Sequence, residues 1–422
     1  MKFSSHLWLI GLMNLALWLI VPPQSTVAQA SVIAQMEQHL AQFELNAAES
    51  LLPQLTEPGQ RAFYEANIQT YEFLRTMDKE VLRRFREDWE QWEDQLDNLS
   101  ETDQQKYVMM AELHSKRAIM EFLDQNYLTS VRYARTARVH IKRNQRRFPD
   151  NVEQLKILGV FNIAFGAVPS KYQWITNALG FRGDLQVGVE QLTKAADEGK
   201  LLPLETELLL CMVRKNILDQ ADLARERIET QQRIRGGNML LEYLLATLYL
   251  DVKQNEQALA ILENDDRYRS GEVSYLLFWD YQLGKAHYFK DDLREAQRYF
   301  ARFLRDYKGE FMRTDANFRL GMALTLNGSY GLGKEFFSNV ANAEDSDWEE
   351  DAYARHMAQK FQHEAPSEVW QQLFRARNYF DGGYYDRAIA ALDALNKLPG
   401  ALTEGDRAES AYRYGRIYHS RG

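Results

Sequence analysis

Between residues 246 and 415 a small residue recurs five times within a helical pattern, with a larger residue three positions later. The copies are Leu245-Ala246-x-x-Tyr249, Leu283-Gly284-x-x-His287, Leu320-Gly321-x-x-Leu324, Ala376-x-x-Tyr379 and Tyr414-Gly415-x-x-Tyr418. After each of the first four comes a second small residue and then a bulky one: Ala258 and Leu262, Ala296 and Phe300, Gly333 and Phe337, Ala388 and Leu392. Small residues let two helices approach, and the bulky residue fills the next gap, so each copy reads as one helix hairpin. The small residues are 38 apart from 246 to 284, 37 from 284 to 321, 55 from 321 to 376 and 39 from 376 to 415. The long step leaves room for an additional helix, expected at Trp348 to Glu364. Lys290-Asp291-Asp292, Asn327-Gly328-Ser329 and Asp381-Gly382-Gly383 are turn signals placed where each corner is due. With 9 prolines and 23 glycines in 422 residues, and 45% hydrophobic residues, the predicted fold class is all-α. It is a right-handed superhelical array of antiparallel helix hairpins, an α-solenoid.

These residues resemble the tetratricopeptide repeat, whose pattern is Leu-Gly-x-x-Tyr on the first helix and Ala-x-x-x-Phe on the second. The likeness spans residues 239–422, with each copy departing somewhere, and the last repeat is expected to be incomplete. For that repeat, a chain cut short at Gly422 is favoured over a capping helix at Ala408 to Ser420. Upstream, residues 31–150 read as N-terminal helical hairpins. They comprise a pair over 31–60, a long amphipathic stretch from Arg61 to Leu99 broken near Thr76-Met77-Asp78, and a pair at Asp103 to Leu123 and Tyr127 to Phe148. A central block, residues 151–238, contains Gly159-Val-Phe-Asn162-Ile-Ala-Phe165-Gly166, Leu179-Gly180-Phe181-Arg182-Gly183-Asp184 and Gly188-Val-Glu-Gln-Leu192-Thr-Lys-Ala195. It is similar to the tetratricopeptide repeat protein 39 family, which includes the fungal inclusion body clearance proteins. That resemblance implies an all-helical adaptor and transfers no catalytic residue. From local chemistry, Pro169 is expected to begin a helix, Gly180 to end it in the left-handed conformation, and Asp184 to cap the next.

Residues 1–30 read as a signal peptide. Lys2 is a short basic region, Leu7 to Val21 an apolar stretch, Pro22-Pro23 its stop, and Ala28-Gln29-Ala30 a small-x-small cleavage site near Ala30. The apolar run is shorter than the roughly 20 residues that cross a bilayer, so a cleaved leader is preferred to an anchor. Residue 31 is Ser, not the Cys of a lipoprotein. The expectation is a periplasmic or secreted protein with no transmembrane segment after cleavage. The single cysteine, Cys211, lies in an apolar run and is expected to be a buried small hydrophobe.

The formal charge of −9 argues against a general nucleic-acid binder. One stretch, Arg132 to Arg147, is strongly basic. Arg135, Arg138, Lys142 and Arg146 form a stripe at helical spacing, and Ala134, Ala137, Ile141 and Phe148 are expected to be buried. The stripe suits an anionic surface or acidic partner; its neutralisation of Glu87, Asp88, Glu90, Glu93, Asp94 and Asp97 is the preferred alternative. Glu344 to Asp351 lacks the glycine of a calcium loop, and His356 and His363 are too far apart for one metal without further ligands. No nucleophile elbow, zinc-protease, paired-cysteine or phosphate-loop motif occurs. The sequence therefore predicts no catalytic, cofactor-binding or metal-ligating residues and no cofactor. The expected function is an exported, non-enzymatic scaffold or adaptor for protein partners of unknown identity. The contact residues stay open, with Tyr243, Tyr281, Phe318 and Tyr412 as aromatic candidates for either groove or core. The alternative is an outer-membrane-associated helical-repeat protein that binds carbohydrate or another nutrient.

Overall fold

The computed structural model describes residues 24–167, 182–269, 273–343, 349–398 and 402–421, and every regular element among them is a helix. Helix α1 (Gln24–Ala41) begins within the segment expected to be a leader, residues 1–30, and runs through Ala28-Gln29-Ala30. The Gln29 side chain accepts a hydrogen bond from the Thr56 hydroxyl at 2.7 Å. Lys2 and the apolar run Leu7 to Val21, on which that expectation rests, lie outside the described residues. Helix α2 (Leu45–Leu51) follows, and α3 (Pro58–Thr76) starts on a proline, whose missing N–H would be unpaired in the first turn anyway. The expected break is real. Met77 takes a left-handed conformation, φ 49°, and Asp78 caps α4 (Lys79–Asp97) by accepting from the Glu80 N–H at 2.9 Å.

Helices α5 (Lys106–Leu123) and α6 (Tyr127–Arg147) form the next hairpin, then α7 (Gln154–Gly166) and α8 (Leu185–Glu198) another. Asp184 caps α8, its carboxylate accepting from the Val187 N–H at 3.0 Å. Pro169 and Gly180 lie outside the described residues. Helices α9 (Pro203–Asn216) and α10 (Ala221–Arg235) lead to Asn238, whose side chain accepts from the N–H groups of Leu240 and Leu241 and so starts α11 (Met239–Asp251).

From there the repeats appear in the expected register. Helix α11 pairs with α12 (Asn255–Leu262), and a short α13 (Asp266–Arg269) follows. Then α14 (Phe278–Lys290) pairs with α15 (Leu293–Asp306), and α16 (Arg313–Leu326) with α17 (Tyr330–Ala341). The additional helix, α18 (Glu349–Phe361), fills the long step before α19 (Glu368–Asp381), α20 (Tyr385–Leu395) and α21 (Glu404–Arg421). Gly284 of α14 meets the Phe300 ring of α15, and Gly321 of α16 meets the Phe337 ring of α17. These are the pairs the spacing marked. Corners turn where expected, with left-handed φ at Asp291, Gly328 and Gly383.

The array also folds back on itself. Phe43 accepts from the Ser274 N–H at 2.8 Å, Ala41 from the Asn238 side chain at 2.6 Å, and Thr76 from the Lys308 N–H at 3.4 Å. The N-terminal hairpins thus pack against segments some 200 residues later, and one apolar core runs from Met36 to Phe374. At the other end, Arg375 of α19 pairs with Asp291 and donates to the Leu326 carbonyl, while the Tyr384 hydroxyl meets Asn255 and Glu256. The α19–α20 corner therefore closes on the α11–α12 corner. Among the described residues, no helix is long and apolar enough to cross a membrane.

Candidate functional site

The fold-back leaves one groove on the first-helix faces of the later repeats. Tyr288 of α14, Asp315, Phe318 and Arg319 of α16, Tyr353 of α18, and Phe374, Arg377, Asn378 and Asp381 of α19 enclose about 370 Å³. These helices are brought side by side because each repeat presents the same face to the inside of the turn. A smaller pocket continues it, bounded by Arg377, Asp381 and the final helix at Tyr412, Arg413 and Arg416.

The walls are aromatic. The Phe318 ring centroid is 6.2 Å from that of Tyr353 and 6.4 Å from that of Phe374. Between them stand charged groups that are already ordered. Arg319 Nε donates to Asp315 at 2.5 Å, and the Tyr281 hydroxyl donates to the same carboxylate at 2.6 Å. Burial works against the Arg319 charge, but Asp315 outweighs it and the pKa rises. The Arg377 guanidinium lies 4.6 Å from the Tyr353 ring centroid. Lys285 projects near Tyr281 and Phe289, where burial and then Arg319 push its pKa down. Burial likewise lowers Arg413, with Glu409 opposing and Arg377 adding to the effect. Asn378 is only 3% exposed, and its side-chain amide faces the Tyr288 hydroxyl across the groove wall.

The aromatic candidates separate cleanly. Tyr281 is buried beneath the groove, Phe318 is buried yet lines it, Tyr243 is partly buried in the main core, and Tyr412 is 60% exposed at the groove's far edge. Sequence periodicity placed all four on first helices; it contained no information on how tightly the array coils.

The other sequence candidates lie elsewhere. Arg135, Lys142 and Arg146 are exposed on α6 and Arg138 is half-buried, while Ala137 and Ile141 are buried as expected. Ala134 and Phe148, expected in the buried stripe, are only half-buried. In the acidic face of α4, Glu87 pairs with Arg83, Asp88 accepts from Gln69 and Glu93 pairs with His114. Arg147 pairs with Glu101 at 2.9 Å. Cys211 is fully buried, and burial pushes its thiol pKa up to about 12. His356 and His363 are exposed, and no group of three metal-ligating side chains gathers among the described residues. Of the acidic run, 344–348 lie outside the described residues.

Sequence reasoning missed a buried charge knot. Glu205 of α9 accepts from Lys116 of α5 at 2.6 Å and from Tyr71 of α3 at 2.9 Å, and pairs with Lys156 of α7 at 2.6 Å. Lys156 also reaches Glu112 at 2.9 Å. Burial opposes the Glu205 charge, yet the two lysines more than offset it and hold its pKa well below the usual carboxylate range. Beside it, Glu37 of α1 accepts from the Tyr64 hydroxyl and the Leu202 N–H. Glu37, Tyr71 and Glu205 face a second pocket of about 380 Å³. No sequence signal points to this knot, because its members come from four helices and lie up to 134 residues apart.

No protein-family model matches the chain, and no curated protein matches it in sequence.

Proposed function

We propose that the chain is an exported, non-enzymatic scaffold of the tetratricopeptide kind, which holds a segment of a partner protein in the groove between α14 and α21. The observation that carries this reading is a groove whose walls are aromatic and whose charged side chains, Arg319 on Asp315 among them, are already fixed. Ordered donors and rigid rings lose little freedom when a peptide binds, which favours recognition of an extended segment. The exported location rests on the leader composition of residues 1–30. Arg135, Arg138, Lys142 and Arg146 form a surface separate from this groove, suited to an anionic contact.

The test is crosslinked capture from the native envelope, with wild-type protein compared with Asn378→Leu and Arg377→Glu. A partner lost with both groove variants, and kept by a substitution at exposed Arg233, supports the reading. Capture indifferent to the groove would sink it. A second reading has one observation in its favour: Tyr288, Tyr353 and Phe374 beside Asp315 and Asp381 also resemble the ring-and-carboxylate lining that holds sugars. A glycan-binding screen with the same variants separates the two, since groove-dependent retention of a sugar would assign the groove to carbohydrate.

A further inference from the structure

The α5–α6 hairpin presents a surface that the groove does not use. Along α6, Leu128, Arg132, Arg135, Val139, Lys142 and Arg146 are all exposed, at steps of four, three, four, three and four residues. That spacing keeps them on one line of the helix, about 27 Å long at 1.5 Å per residue. Leu128 is 88% exposed. Around it at the hairpin tip, Ile119 and Phe122 of α5 and Tyr127 are about half exposed, and the Phe122 and Tyr127 rings pack edge to face at 5.4 Å. No Asp or Glu occurs between Asp124 and Asp150.

An exposed apolar tip of this kind, continuous with a cationic line, marks a contact surface. Its shape decides what it meets. The tip is the corner of a hairpin and so projects outward, and a protein partner would need a matching hollow for Leu128 with carboxylates spaced along the adjoining helix. A bilayer interface needs neither: it accepts aliphatic and aromatic side chains at headgroup depth and offers anionic charge at any spacing. We propose that the α5–α6 hairpin docks the protein on an anionic lipid surface, with Leu128, Phe122 and Tyr127 entering the headgroup layer and Arg132, Arg135, Lys142 and Arg146 holding lipid phosphates. The exposed carboxylates Glu90, Asp94 and Asp97 of the neighbouring α4 set the orientation, because the bilayer must approach α6 from the side away from them. This surface stands apart from the groove, so either reading can fail alone.

The test is co-sedimentation of the full chain with vesicles of phosphatidylcholine alone or mixed with phosphatidylglycerol. Binding should be about tenfold tighter to the mixed vesicles at low salt, and the difference should vanish near 1 M salt, where charges are screened within about 3 Å. Replacing Arg132, Arg135, Lys142 and Arg146 together by Gln should remove that difference, weakening binding about tenfold on mixed vesicles only. The wild type and the four-glutamine variant share residues 1–30, Lys2 included, so the difference between them reports the stripe. Leu128→Ser should weaken binding about tenfold while keeping the headgroup preference, with helix content checked by circular dichroism for every variant. Equal binding to both vesicle types, or no response to the four-residue variant, overturns the proposal. Stripe-dependent binding to soluble polyglutamate without binding to mixed vesicles overturns it too and assigns the stripe to an acidic protein.

Discussion

Phe300 packs so closely on Gly284 that a Cβ on the glycine would lie 2.7 Å from the ring, inside van der Waals contact. The ring belongs to the second helix of the hairpin and the glycine to the first, so this contact sets how near the two helices come. Gly321 stands in the same relation to Phe337, at 2.8 Å. By contrast, Gly415 occupies the same place in the motif and has nothing within 4 Å of its Cβ position.

That contrast gives the first prediction. Gly284→Ala and Gly321→Ala should each destabilise the protein by about 1–3 kcal/mol through overpacking, despite alanine's better helix propensity. Gly415→Ala should be neutral or stabilise by up to about 1 kcal/mol, because only the propensity changes. Urea denaturation of the three variants decides it, and a loss at Gly415 matching the other two would refute the packing account.

The second concerns pH. Burial pushes the Glu37 carboxyl up to about 7, against the opposing hydrogen bonds from Leu202 and Tyr64. The native state therefore binds this proton more tightly than the unfolded chain. Stability from Glu37 is present below its unfolded value of about 4.5 and is lost as pH rises towards 7, by about 2–3 kcal/mol. Glu37→Gln keeps an acceptor and removes the titration. It should leave stability at pH 4 unchanged and raise it at pH 8, as read from thermal midpoints.

Glu205 carries the opposite sign. Its folded pKa is depressed, so its contribution is present above about 4.5 and is lost as acid protonates it. Glu205→Gln leaves Lys116 and Lys156 buried with one carboxylate fewer, which should cost about 3–5 kcal/mol at pH 7. The cost should shrink on acidification. A pH-independent penalty would mean that packing, not charge, holds α3, α5, α7 and α9 together.

Cys211 gives the fourth. With the thiol fully buried and its pKa raised, reaction with an aromatic disulfide reagent at pH 8 should be about a thousandfold slower in the native protein than in denaturant. Rapid native labelling would place the thiol at an opening the described packing does not contain.

The small-residue spacing made the repeats legible down to individual contacts: Gly284 with Phe300, Gly321 with Phe337, the break near Met77 and the cap at Asp184 all follow from local chemistry. What local chemistry lacks is curvature. Whether Tyr281 is core and Phe318 groove wall depends on how far each hairpin rotates on the last. The Glu205 knot and the Arg375–Asp291 tie depend on the same rotation, summed over many repeats. Those residues look like ordinary surface charges in the sequence, because Glu, Lys and Arg at helical spacing are what any solvated face carries.

The tie between the α19–α20 corner and the α11–α12 corner bears on how the molecule responds to force. In an array where only neighbours touch, pulling the ends would peel hairpins off one at a time, each with its own small rupture. Here Arg375 with Asp291, and Tyr384 with Asn255, act as a clasp across the coil. The repeats from α11 to α20 should therefore resist together and give way in one event.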